Sequence, residues 1–425
     1  MASLAQKRRL DTTLGAPICT ILNLLARILG AILRRDHSLA RPPRRILVIK
    51  LVGLGSVVHS TLLLRALKAK YPEATLGFLC FRELRGLLGR IEDVDEILSL
   101  DDSSYWRLLR SVLGFIWGSW RRPFDLVIDL EVHSKFSTIL STLTCGRDRA
   151  GYYVITTRFR SGLYTHLVYY NRYRHVQEAY RQLGRALGVE AGVGQPLAPR
   201  LTEEERDFAE KLLEQWQVGN RHLLLVNVNA GDLCLERRWE PWKFARVMEV
   251  FAAREGVVVV MTGSAAEQAY TESVRQRVDE SVRGRVVNSA GTMGFGQYLA
   301  LLARSGALLT NDSGPLHLAA SFGVSTVSLW GPGLPATYQP LVGNHRALCR
   351  DTYCSPCLYW VDELPCAGDN VCMQRISWQE VAAATAEVLG LSVTHPEADE
   401  TTAQEAETKA EGYFVRRSVP PPQNG

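Results

Sequence analysis

No short-period repeat runs through the sequence, which sets repeat architectures aside. Cysteine is sparse, nine in 425 residues, too few for a disulfide-held scaffold. A basic excess is missing from the body of the chain. The net charge is +5, but residues 1–45 carry nine basic and two acidic side chains and residues 393–425 carry three basic and six acidic. That leaves residues 46–392 at +1. A nucleic-acid groove needs a basic stripe on the folded domain, so that class is excluded. Long hydrophobic runs are missing too, apart from one near the N-terminus, which excludes a polytopic membrane protein. What is there is globular usage: 46% hydrophobic and 22% charged residues, with 34 Gly and 18 Pro, which excludes a mainly disordered or collagen-like chain. The length suits two domains of about 150–200 residues each.

The one apolar run spans residues 14–33. Ile18, Ile21, Leu22, Leu25, Ile28, Leu29 and Ile32 follow helical spacing and form one stripe, with Thr20, Asn23, Arg27 and Arg34 opposite. Pro17 suits the first turn. Arg27 at mid-segment costs a spanning helix roughly 2.5–3.5 kcal/mol. Basic clusters flank the run: Lys7-Arg8-Arg9 before it, then Arg34-Arg35 and residues 41–45 after it. The expectation is a helix lying in an anionic membrane surface. It ranks ahead of an amphipathic helix packed on the protein, a cleaved signal peptide and a true span. Residues 1–43 are thus a basic amphipathic leader and linker.

Strands are expected at 45–51, 75–80, 97–100 and 124–130, with a helix from Ser56 to about Lys70. The pattern then restarts. A helix over 202–216 opens with a capping box, Thr202 and Glu205. Strands at 222–227, 256–262, 307–310 and 324–330 alternate with helices at 242–254, 296–304 and 313–322. Continuous apolar strands alternating with helices mean parallel sheets covered on both faces, the α/β class. The halves are 44–200 and 201–392, followed by a disordered acidic tail over 393–425.

In open parallel sheets, ligands sit at the carboxyl ends of strands against helix N-termini. Four places qualify. The first is the turn holding Gly53, Gly55 and Ser56, which is either a ligand loop or an ordinary strand–helix turn. The second is Asp129 and Glu131, closing the strand FDLVIDL as cleft carboxylates or as caps. The third is Asn229, Gly231 and Asp232 followed by Arg237 and Arg238, whose forked donors match diphosphate oxygens. A solvated basic turn is the plainer alternative there. The fourth, and most specific, is Thr310-Asn311-Asp312-Ser313-Gly314-Pro315-Leu316-His317, with His317 one turn into the following helix. Ser313 and the next backbone N–H groups can hold a phosphate, and Asp312 can accept from sugar hydroxyls.

Five cysteines, Cys349, Cys354, Cys357, Cys366 and Cys372, fall within 24 residues. Cys354, Cys357, Cys366 and Cys372 supply the four ligands that a structural tetrahedral zinc requires. Reduced or disulfide-linked structural cysteines are the alternative, and a catalytic metal is not expected.

The chain from about 44 to 390 resembles glycosyltransferase family 9, which contains the bacterial lipopolysaccharide heptosyltransferases. The resemblance rests on ILVIKLVGLGSVVHSTLLLRAL, FDLVIDLEVHSKFSTILSTLTCGRDRAGY, RRWEPWKFARV and TNDSGPLHLAASFGVSTVSLWGP. It implies a GT-B architecture, two Rossmann-like domains whose parallel sheets face each other across a cleft. It also implies inverting, metal-independent sugar transfer from a nucleotide-diphosphate donor, ADP-heptose, to a lipid-linked glycan such as lipopolysaccharide core. The donor would bind the C-terminal domain and the acceptor the N-terminal one. The enzyme would work peripherally at the cytoplasmic face of the inner membrane, with no cofactor required. By position, Arg237 stands where the family has a phosphate-binding Lys, with Arg238 beside it. Asp312, Ser313, Gly314 and His317 occupy the donor motif, and Gly263 and Ser264 match a loop lining the nucleotide.

One departure bears on catalysis. The family's first turn carries an Asp as general base where this chain has Ser56, and a serine hydroxyl takes no proton at neutral pH unaided. Glu131 is the expected substitute, with Asp129 or His59 behind it. If no base replaces the Asp, the chain is a catalytically silent nucleotide-sugar-binding or scaffold protein.

Overall fold

The computed structural model describes residues 11, 13–231, 234–358, 361 and 364–392. The tail expected over 393–425, the first ten residues of the leader and Asp232 lie outside the described residues. The chain divides into two compact units, Met1–Arg200 and Leu201–Gly425. Each holds one six-stranded sheet whose described pairings are all parallel, so the α/β expectation holds.

In the N-terminal unit the strands are β1 (Arg45–Ile49), β2 (Thr75–Phe81), β3 (Glu96–Leu100), β4 (Leu126–Asp129), β5 (Asp148–Tyr153) and β6 (His166–Tyr169). Their order is β3-β2-β1-β4-β5-β6. The chain steps outward from β1 in one direction, then returns and steps outward in the other. Right-handed crossovers therefore put the connecting helices on opposite faces. Helix α2 (Leu54–Lys70) packs against α5 (Val176–Ala186) on one face. On the other face α3 (Tyr105–Arg121) and α4 (Lys135–Leu143) close a core of Leu47, Ile49, Phe115, Ile116, Val127 and Leu140.

Helix α1 (Gly15–Leu33) lies beside α4 in that second layer, and by length and composition it is apolar enough to cross a membrane. It docks through its small and polar side. Gly15 and Cys19 are buried, and Asn23 Nδ2 donates to the Phe159 carbonyl at 2.7 Å. The apolar stripe points away from the protein, with Ile18, Ile21, Leu25, Ile28, Leu29 and Ile32 exposed. A helix packed on the protein by its apolar stripe is thereby corrected: the packed side is the opposite one.

The C-terminal unit repeats the topology with β7 (His222–Asn227), β8 (Val257–Met261), β9 (Val286–Asn288), β10 (Ala307–Asn311), β11 (Ser325–Trp330) and β12 (His345–Cys349), in the order β12-β11-β10-β7-β8-β9. Its helices include α6 (Glu203–Gln215), α7 (Pro241–Ala252), α8 (Gln268–Arg275), α9 (Phe295–Ala303), α10 (Gly314–Ser321) and α11 (Trp378–Val388). The Thr202 box at the start of α6 forms as expected: Glu205 N donates to Thr202 Oγ1 at 3.3 Å and Thr202 N to Glu205 Oε2 at 3.0 Å. Trp239, Phe244, Met248 and Phe251 pack with Val259 and Val381 in the core.

β5, β6, β9 and β12 escaped the sequence reading. β5 begins Asp148-Arg149, and β9 is only three residues long, so neither presents an apolar run. Close packing in β5 is concentrated at Gly151, where a Cβ would lie 2.6 Å from Tyr164 Cε2. Gly151→Ala must displace that buried ring, and thermal unfolding should show a loss of about 1–3 kcal/mol. An unchanged midpoint would mean the ring has room to move.

Candidate active site

A doubly wound sheet opens a crevice where its strand order reverses. Here that is between β1 and β4 in the first unit, and between β7 and β10 in the second. The four loops singled out from the sequence follow those four strands.

In the C-terminal unit the loops are laced together before any ligand is considered. Asn311, at the end of β10, donates from Nδ2 to the carbonyls of Val228 (3.1 Å) and Asn229 (3.2 Å), and its Oδ1 accepts from Trp239 N (3.1 Å). Asn227 Nδ2 donates to Thr310 Oγ1 and Ser313 Oγ, both at 3.2 Å. Thr310 and Ser313 share a further bond of 2.9 Å. Ser313 is the N-cap residue of α10, yet its hydroxyl makes no capping bond, and Pro315 occupies the first turn. The positive end of that helix is left to other partners.

Arg237 is buried. Its Nη2 donates to the Ala230 carbonyl at 2.7 Å, and Nη1 lies 3.6 Å from Asp312 Oδ2. Burial pushes the Asp312 carboxyl above its ordinary range, and Arg237 opposes that rise. A Cβ on Gly333 would come within 2.7 Å of Asp312 Oδ2, so any larger residue there must displace that carboxylate. Arg238 stacks over Tyr270 of α8 at 4.1 Å. Gly263 borders the same crevice: a Cβ there would stand 3.1 Å from Asn229 Nδ2. Three buried polar atoms find no partner among the described residues: Asn229 Oδ1, Arg237 Nε and Arg238 Nε. Buried polar atoms are normally satisfied, so three orphans around one crevice mark a place shaped for a polar ligand.

The remaining candidates lie at the edge of this group. Gly231 takes a positive φ of 68°, Ser264 is exposed with its hydroxyl given to Glu267, and His317 is buried with its ring 6.1 Å from Tyr338.

In the N-terminal unit Gly53 has φ 92°, and Gly55 and Ser56 are buried in the first turn of α2. Tyr180 donates to the Ser56 carbonyl at 3.3 Å. His59 is buried with Nδ1 3.0 Å from Gln177 Nε2 and its ring edge-on to His175 at 5.1 Å. Glu131 accepts from Lys50 Nζ at 2.8 Å and from Leu51 N at 2.9 Å, with Val52 N at 3.4 Å. It lies just past β4, at the switch point. Asp129 does not. Its side chain is fully buried against Arg160 (3.1 Å), Ser137 (2.7 Å) and the Tyr164 hydroxyl. Burial pushes its carboxyl above the ordinary range, and Arg160 opposes the shift. Of the two readings of Asp129, the open cleft carboxylate is corrected: the side chain is internal, held by Arg160, Ser137 and Tyr164, and accepts from Glu131 N at 2.9 Å as a local cap.

Sequence reasoning missed Lys50, Arg160 and Asn227. Lys50 carried a usable signal, a charge closing the apolar run RILVIK. Arg160 carried none, because nothing near it in sequence announces Asp129.

The four cysteines considered for zinc, Cys354, Cys357, Cys366 and Cys372, are free thiols. Burial, then the neighbouring thiols, push Cys357 and Cys372 up to about 12. Among the described residues no group of three or more His, Cys, Asp or Glu side chains stands close enough to hold a metal ion.

The two doubly wound sheets recur in solved glycosyltransferases. A glycosyl transferase family 9 structure from Veillonella parvula matches with a TM-score of 0.66 at 23% identity, covering 81% of this chain and 97% of that one. Escherichia coli ADP-heptose lps heptosyltransferase II matches with a TM-score of 0.61 at 23% identity, covering 81% and 98%. In sequence, lipooligosaccharide heptosyltransferase 2 of Haemophilus influenzae is 25% identical over 314 residues, covering 72% of this chain and 88% of that protein. The family model for glycosyltransferase family 9 (heptosyltransferase) matches residues 117–367, more than half of the chain. The chain belongs to that family and is a glycosyltransferase.

The two carboxylates at the first switch point separate by experiment. Asp129→Asn leaves Arg160 buried without its counter-charge and should lower stability by about 3–5 kcal/mol in thermal unfolding. A fully stable Asp129→Asn protein would refute the internal assignment.

Proposed function

We propose that this protein transfers a heptose from ADP-heptose to a lipid-linked glycan such as lipopolysaccharide core, with inversion and without a metal ion. Family membership and the names of its relatives support the sugar and acceptor class. The observation that carries the donor reading is the set of orphaned atoms on Asn229, Arg237 and Arg238, beside the uncapped end of α10. That is the chemistry of a diphosphate site: forked cationic donors and backbone N–H groups around an anion.

On this reading the donor binds the C-terminal unit and the acceptor the N-terminal one. The acceptor oxygen attacks the anomeric carbon on the face opposite the diphosphate. A new C–O bond forms as the bond to the diphosphate breaks, and the bonding electrons leave with the diphosphate. Arg237, Arg238 and the α10 N-terminus take up that charge, the task a metal ion would otherwise perform. Glu131 accepts the acceptor's proton in place of the family's Asp, and Lys50 holds the carboxylate in position. The enzyme sits peripherally at the cytoplasmic face of the inner membrane, with α1 against the lipid.

Purified protein given ADP-heptose and lipid extract should release ADP in an acceptor-dependent way, with turnover retained in a chelator. Glu131→Gln should lower turnover about 10²–10⁴-fold while leaving ADP binding intact. Unchanged turnover would remove Glu131 as the base. Arg237→Ala should lower kcat/KM about 10²–10³-fold. Binding of ADP-heptose with no turnover on any acceptor would establish the catalytically silent reading that Ser56 favours.

A further inference from the structure

Helix α3 departs from the usual rule for a surface helix. Its inner side, Leu108, Val112, Phe115, Ile116 and Ser119, packs on the sheet. Its outer side is not polar. Trp106, Leu109, Leu113, Trp117 and Trp120 recur every three or four residues, and all are exposed, from 48% at Leu109 to 80% at Trp106. No acidic residue occurs between Ser104 and Pro123, whereas Arg107, Arg110, Arg121 and Arg122 do. Arg121 lies over the Trp117 ring at 4.8 Å. Arg107 and Arg122 approach Asp101 and Glu96 at the helix ends, at 3.8 and 3.4 Å, and both remain mostly exposed.

This face belongs to the same helical layer as α1. Both helices pack against α4, in the same layer of the same unit. The segment after α1 reaches the C-terminal end of α3, where Arg35, Asp36, Arg41, Trp120, Asp125 and Arg147 line a shared cavity. The outer surface of the layer therefore carries two parallel kinds of apolar stripe, aliphatic on α1 and tryptophan-rich on α3, with arginines at their margins.

We propose that α3 is a second membrane-contacting element, which acts with α1 to seat the N-terminal unit on an anionic lipid surface. The inference rests on the reading that α1 lies against lipid, and extends it to a separate part of the chain. Exposed apolar area of this extent marks either a protein partner or a membrane. The composition decides between them. Tryptophan rings with a wet edge, long arginine stems and no carboxylates suit the headgroup boundary. An anionic leaflet attracts the arginines. A second copy of the chain would instead bring the arginines of one stripe against those of the other, with acids only at the helix ends.

The test uses the full chain with vesicles of equal parts phosphatidylcholine and phosphatidylglycerol, and with phosphatidylcholine alone. One variant carries Trp106→Ser, Leu113→Ser and Trp117→Ser; another carries Ile21→Ser, Leu25→Ser and Ile28→Ser. Thermal unfolding confirms that each is folded. The α3 variant should bind anionic vesicles about tenfold or more weakly than the parent, and turnover on a short water-soluble acceptor should be unchanged. Bromine-labelled lipid should quench parental tryptophan fluorescence and lose much of that effect in the variant. If only the α1 variant loses binding, α3 is not a contact and the reading of α1 stands. If the parent binds neither vesicle, both fail. If the parent is a dimer that the α3 variant dissociates, and vesicle binding is unaltered, the face belongs to a second copy.

Discussion

A carboxylate shut away from water must be met by a positive charge, and the N-terminal unit is organised around one such pair. Arg160 and Asp129 are both completely buried, 3.1 Å apart. Alone, a buried pair does little more than offset its own desolvation. Here Arg160 also donates to the Glu131 carbonyl at 2.7 Å and to the Tyr152 carbonyl at 3.1 Å. The residue before it, Phe159, receives Asn23 of α1. A single guanidinium therefore fixes the loop that carries Glu131, the end of β5 and the segment on which the apolar helix rests. The proposed catalytic carboxylate and the proposed lipid contact share one foundation.

The two switch points have the same topology and opposite furnishing. In the first, polar groups answer one another: Lys50 with Glu131, Asp129 with Arg160, His59 with Gln177. In the second, Arg237 and Arg238 keep unanswered nitrogens beside an uncapped helix end. A neutral hydroxyl asks for a held carboxylate and little else, whereas a departing diphosphate asks for open cationic donors. The division of labour proposed for the units follows from this contrast.

The order of legibility in the sequence has a physical cause. Strands buried on both faces leave continuous apolar runs, so β1, β4, β7, β8 and β10 announced themselves, and the loops following them gave the candidate residues. β5 did not, because Asp148 and Arg149 open it and Gly151 supplies packing by being small. Asp129 was misplaced because a sequence displays a charge but not the counter-charge that folding brings to it. The outer face of α3 was invisible for a related reason. The sequence shows tryptophan and leucine at helical spacing there, and only the fold shows that this side stays exposed among the described residues. The orphaned atoms of Asn229, Arg237 and Arg238 are likewise properties of packing.

The lacing by Asn311 has a further consequence. Its amide spends both hydrogens on the Val228 and Asn229 carbonyls and its oxygen on Trp239 N, so the loops of the second switch point are tied to one another by the fold itself. The entropy of ordering them is lost during folding and not during binding. On the proposed function a bound donor would meet the unanswered atoms of Asn229, Arg237 and Arg238, and occupancy and global stability would become two readings of one quantity.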